Sequence, residues 1–192
     1  MKQRIIKPRE RVLETVSKLF HKQGYNATGI NQIVEESGVV KSSVYQIFGS
    51  KEEIAIAYLN ERHDFWFQGL NSFISSSQGI MAKLMAAFDY ISFMNKNEDY
   101  QGCAFLNFLA EIPAENVAIR EVIVGHKKEL RYFFHNLLLN TGIDANHIYL
   151  LFEGAIMESK LFREQWPVDT AKSIIQSIYI KQNGTEISFA TV

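Results

Sequence analysis

The chain is poor in the residues that mark a disulfide-stapled, metal-binding or membrane-spanning protein. Cys103 is the only cysteine in 192 residues. An intrachain disulfide is therefore excluded, which fits a reducing compartment. No uncharged apolar run approaches the roughly 18 residues needed to span a bilayer. The N-terminal MKQRIIKPRER is basic but has no apolar h-region. No secretory leader or membrane anchor is expected, and the cytoplasm is the expected location. The histidines at 21, 63, 126, 135 and 147 are scattered, and no Glu-x-x-His pair occurs. His126 and Glu129 stand three apart, but lysines flank His126 and no third ligand follows, so no metal site is expected. G-x-x-x-x-G-K-[ST], G-x-G-x-x-G and G-x-S-x-G are all missing. Nothing supports nucleotide, dinucleotide or esterase chemistry, so no catalytic residue, cofactor or enzymatic role is expected.

What is present reads as helix. Apolar residues make up 47% of the chain, enough for a full core. Val12, Leu13, Val16, Leu19 and Phe20 recur at helical spacing and Gly24 stops that run. A short second helix carries Ile30, Ile33 and Val34 to Gly38. Thr28 or Gly29 is expected to cap it, with Asn31 or Gln32 reaching back. A third runs from about Val40 to Phe48 and ends at Gly49. Ser50-Lys51-Glu52-Glu53 reads as a capping box for a long helix to about residue 74. Further helices are expected over 80–95, 103–112, 115–139, 147–165 and from Pro167 to about Lys181, with a frayed tail beyond. The fold class is all-α.

Charge separates the chain's first quarter from its remainder. Residues 1–51 hold nine basic and four acidic side chains, a net +5, whereas the remainder nets −6. A basic head on an acidic body points to a polyanion partner for the head alone. Within that head, two short helices joined by Ser37-Gly38-Val39 have the length and turn chemistry of a helix-turn-helix. The second would enter a major groove by its N-terminus. Lys41 and the open backbone N–H groups suit phosphate oxygens. Ser42 and Ser43 are short donors that let the backbone approach, and Tyr45 offers a ring and a hydroxyl. Gln46 can pair with an adenine edge. Val44 and Phe48, at i and i+4, form the inward face.

The segment GYNATGINQIVEESGVVKSSVYQIFGSKEEI (24–54) resembles the DNA-binding region of the TetR family of bacterial regulators. The likeness rests on Gly24-Tyr25, Thr28, Gly38-Val39, Tyr45-x-x-Phe48 and Ser50-Lys51-Glu52. It implies an N-terminal three-helix helix-turn-helix head over 1–50 and a helical ligand-binding and dimerisation body over 51–192. It also implies a repressor that binds a palindromic double-stranded DNA operator as a homodimer and is released by a small-molecule effector. Thr28, Lys41, Ser42, Ser43, Tyr45, Gln46, Ile47 and Lys51 are the expected DNA-binding residues. Two positions depart from the family's pattern. Val40 stands where Ser or Thr usually caps the recognition helix, losing about 1 kcal/mol. Ile47 replaces a common His or Tyr and favours a thymine methyl or no base contact.

In the body, aromatic density reads first as core. The resemblance implies that part of it lines an apolar effector cavity, and Trp66, Phe88, Cys103, Phe108 and Phe134 are the candidates. Ile148, Leu151, Phe152, Ala155, Ile156 and Phe162 form an apolar stripe on one helix that also includes the small residues Gly154 and Ser159, and Ile174, Ile175 and Ile178 supply a matching face on the last. Together they are the expected dimer interface, a four-helix bundle in a two-fold pair. Cys103 admits a second reading, a thiol that senses electrophiles at a helix start, but no cationic side chain lies within four residues of it. Two alternatives to a DNA-binding regulator are a helical interaction protein whose head binds an acidic protein, and a small helical enzyme using the body cavity.

Overall fold

The computed structural model describes residues 6–186, with side chains through Gln182. Lys2, Arg4 and the tail beyond Glu186 lie outside the described residues. Those residues form helices with no strand among them: α1 Pro8–Gln23, α2 Ile30–Ser37, α3 Lys41–Phe48, α4 Lys51–Ser75, α5 Ile80–Asn97, α6 Ala104–Glu111, α7 Val117–Leu137, α8 Ala145–Phe162 and α9 Trp166–Glu186. No described helix is long and apolar enough to cross a membrane.

Local chemistry sets most boundaries. Gly24, Gly38 and Gly49 end α1, α2 and α3, each at a positive φ that an L side chain resists. The Ser50 hydroxyl accepts the Glu53 N–H at 3.0 Å and so opens α4. Asp144 caps α8 through the Asn146 N–H at 2.8 Å, which starts this helix two residues earlier than its apolar stripe indicates. Arg163 ends it in a left-handed conformation. The last helix runs past the expected end at Lys181 to Glu186, and the rest of the tail expected to fray lies outside the described residues.

Two compact units emerge. Among the described residues, one holds 6–64 with 104–125, the other 65–103 with 126–186. In the first, α1 packs on α2 and α3, burying Val12, Leu13, Val16, Leu19, Phe20, Ile33, Val39 and Val44. Phe108 of α6 joins this core, 5.3 Å from the rings of Phe20 and Tyr25 and 5.7 Å from Tyr58. In the second, α8 packs on α9 and α5 packs on both. Its centre is Phe152, whose ring meets Trp66, Phe88 and Phe134. Burying side chains this size stabilises the unit by roughly 25 cal/mol per Å² of apolar surface removed from water.

Candidate nucleic-acid interface

The recognition helix is held from beneath and open above. Val44 is fully buried and Phe48 half-buried. At 100° per residue, Ser42 and Gln46 then point most directly outward, with Tyr45 and Ile47 on the flanks. Lys41, Ser42, Tyr45, Gln46 and Ile47 are all exposed and Ser43 half-exposed. The turn into α3 is tight because Gly38 adopts φ 61° and Ser37 Oγ accepts the Val39 N–H at 3.3 Å. Val40 is the N-cap and makes no side-chain cap bond, as its chemistry dictates. The first N–H groups of α3 are therefore left without a capping side chain, beside Lys41 and Ser42. That is a surface suited to phosphate oxygens.

The two lysines are held differently. Lys41 Nζ donates to Asn31 Oδ1 of α2 at 3.0 Å, which engages one of the two side chains expected to reach back and cap that helix. Lys51 Nζ lies 4.1 Å from the centre of the Tyr25 ring. Burial lowers the Lys51 pKa below the ordinary lysine value, and the Glu111 carboxylate opposes that shift. Ile47 has different surroundings. It lines a groove of about 540 Å³ with Arg9, Phe48 and the α4 residues Glu53, Ile56 and Glu61.

Two sequence expectations change at the start of α2. Thr28 is fully buried and its hydroxyl donates to the Gly24 carbonyl at 2.7 Å, so it closes the α1–α2 turn instead of facing outward. Gly29 is the N-cap, with no side-chain cap bond. Gln32 does not reach back to cap. Its amide donates to Glu36 at 2.9 Å and its oxygen accepts from Gln23 at 2.9 Å.

Comparison with known proteins bears on this surface. The profile of the bacterial regulatory proteins of the tetR family matches residues 12–58, the span from α1 into α4. The HTH-type transcriptional regulator LmrA of Bacillus subtilis (strain 168) is 29% identical over 182 residues, covering 88% of this chain and 95% of LmrA. The uncharacterized HTH-type transcriptional regulator YxaF of the same organism is 32% identical over 171 residues, covering 83% of this chain and 88% of YxaF. The chain belongs to the TetR family of bacterial regulators. It is a transcriptional regulator with a DNA-binding helix-turn-helix. Its fold is also that of SCO4454, a TetR-family regulator from Streptomyces coelicolor, with a TM-score of 0.83 at 23% identity over 91% of this chain and 95% of that one.

In this TetR-family chain the effector candidates do not all meet. Trp66, Phe88 and Phe134 surround Phe152, whereas Phe108 belongs to the other unit's core with Phe20, Tyr25 and Tyr58. The Trp66 indole N–H is buried and has no acceptor among the described residues. Cys103 is buried, 9% exposed, and sequence reasoning missed its neighbours. Lys127 Nζ lies 3.2 Å from Sγ and 2.6 and 2.7 Å from the two Glu153 carboxylate oxygens. Burial alone would lower the Lys127 pKa. Its interactions with Cys103 and Glu153 outweigh burial and hold the ammonium above the ordinary lysine value. These residues lie 24 and 26 positions apart in sequence, so no local spacing announces them.

The stripe expected at the dimer interface turns inward. Ile148, Phe152, Ala155, Ile156 and Ser159, with Ile175 of the last helix, are all buried within the single chain, because α8 packs on α5 and α9 through that face, whereas Gly154 and Phe162 of the same stripe stay exposed. Ile174 is exposed and Ile178 half-exposed. On α8 the exposed apolar positions are Leu150, Leu161 and Phe162, with Gly154 on the same side as Leu150 and Leu161. A Cβ added at Gly154 would meet nothing within 4 Å.

Proposed function

We propose that this TetR-family regulator is a repressor. In this reading it binds a palindromic operator as a homodimer in the cytoplasm and is released by a small-molecule effector. The observation that carries the reading is α3 itself: an uncapped N-terminus beside Lys41, with Ser42, Tyr45 and Gln46 outward and Val44 anchoring it. Lys41, Ser42, Ser43 and Lys51 meet phosphates. Tyr45, Gln46 and Ile47 face the bases, and Thr28 holds the turn.

Dimerisation uses the outward faces of α8 and α9. Gly154 supports this, because a glycine inside a helix costs about 1 kcal/mol relative to alanine and no neighbour within the chain requires it. A second α8 approaching at that point gives it a reason. The effector candidates that meet are Trp66, Phe88 and Phe134 around Phe152, and the orphaned Trp66 N–H favours a ligand with an acceptor atom. A hundredfold loss of operator affinity needs about 2.7 kcal/mol of coupling between effector and DNA.

A mobility shift with fragmented genomic DNA across a salt series tests the reading. Fragments retained selectively, with affinity falling steeply as salt rises, support it. Failure to retain any duplex at low salt refutes it and favours an acidic protein partner for the head.

A further inference from the structure

We propose that Glu111, at the end of α6, is a positioning residue for DNA binding, acting by pinning the turn that precedes the helix-turn-helix. This rests on the DNA-binding reading above. The carboxylate is more than 80 residues from that turn in sequence, and nothing in the 24–54 signature points to it.

The geometry is a two-point clamp in which Asn26 donates both bonds. The Asn26 backbone N–H donates to Glu111 Oε2 at 2.7 Å, and the Asn26 side-chain amide donates to the Glu111 carbonyl at 2.7 Å. Gly24 lies so close that a Cβ there would strike the same carboxylate, and its φ of 87° already demands glycine. Glu111 therefore holds the stretch that carries Thr28 and leads into α2. A second tie grips the other end. Asn116, which caps α7 through the Ile119 N–H at 3.0 Å, donates from its amide to Glu52 Oε2 at 2.6 Å. Glu52 stands four residues beyond Phe48. The helix pair that meets DNA thus begins and ends on residues held by the α6–α7 junction. Phe108, one turn before Glu111, fixes α6 against Phe20, Tyr25 and Tyr58.

A free turn leaves α2 and α3 several orientations, of which DNA accepts few. Apparent affinity falls by the fraction of molecules in the competent orientation. Glu111→Ala, which loses the acceptor, weakens binding about tenfold, equivalent to about 1.4 kcal/mol. Glu111→Gln keeps an acceptor for the Asn26 N–H and removes only the charge. It retains wild-type affinity or exceeds it slightly, since a negative charge near Lys51 and the phosphates is gone.

The test is fluorescence anisotropy on a duplex that the wild-type protein selects from a random-sequence library, at a temperature well below each variant's Tm. A loss in Glu111→Ala restored in Glu111→Gln supports the pin. Equal affinities for both variants, whether lower, higher or unchanged, overturn it, because the charge or nothing at all is then responsible. Should Glu111→Ala fail to fold, Asn26→Asp sets an acceptor against the Glu111 carbonyl and must weaken binding; unchanged affinity overturns the proposal. A wild-type protein that selects no duplex refutes the DNA-binding reading itself, a result separate from either variant's.

Discussion

Replacing Lys127 by methionine removes an ammonium and leaves its stem volume. The side chains of Lys127 and Glu153 are each only 14% exposed, so the substitution strands a carboxylate that loses both of its contacts at 2.6 and 2.7 Å. Breaking one partner of a buried pair costs about 3–5 kcal/mol. In a chain of this size 1 kcal/mol moves Tm by about 2–4 °C, so Lys127→Met lowers Tm by about 6–20 °C. The double variant Lys127→Met/Glu153→Leu removes both charges together and recovers most of that loss, since an apolar pair of similar volume is about as stable as a buried ion pair. The pH dependence has a definite sign. The folded-state pKa of Lys127 is raised above the ordinary 10.5, so its stabilisation is complete below that value and disappears as pH rises through the folded value. Calorimetry of the wild type and both variants, from neutral pH to about pH 11, reads all three effects. A Lys127→Met protein within about 2 °C of wild type at neutral pH, or a double variant no better than the single, refutes the buried-pair argument.

Gly154→Glu is accommodated within the single chain, where its Cβ meets open space, and yields folded monomers by sedimentation. Ile156→Glu buries an unpaired charge at a position 5% exposed and unfolds the chain, as circular dichroism reads. Val40→Ser restores a cap worth about 1 kcal/mol at the loss of a little side-chain burial, because Val40 is 66% exposed. It raises Tm by about 1–3 °C in thermal melts. Cys103, 9% exposed, reacts slowly with N-ethylmaleimide in the native protein, and Cys103→Ser keeps DNA binding. Rapid modification that releases DNA only from wild type makes the thiol a sensor instead.

The head was legible because its signals are local. Gly24, Gly38, Gly49 and Ser50 each fix a backbone conformation within a few residues, so helix ends and the outward face of α3 follow from spacing alone. Thr28 misled because a threonine beside a glycine turn has an acceptor at hand, and burial of its hydroxyl is decided by the fold. The body was legible as helix but not by face. Apolar stripes mark both the in-chain core of α8 and the positions left exposed, and periodicity does not say which is which. Phe108 likewise carries the same chemistry as Phe88 and Phe134, and only the fold assigns it to a different core. Lys127, Glu153 and Glu111 act over long sequence separations, which no motif encodes.

Sequencing the duplexes that the protein retains from a random-sequence library tests the central claim most directly. The account predicts an enriched inverted repeat whose half-site centres lie about one helical turn or a multiple of it apart. Tyr45→Ala and Lys51→Ala, still folded, bind that repeat more weakly, and Lys51→Ala reduces the salt dependence by about one phosphate contact. A library that emerges unenriched, or an enriched repeat bound equally well by both variants, contradicts it.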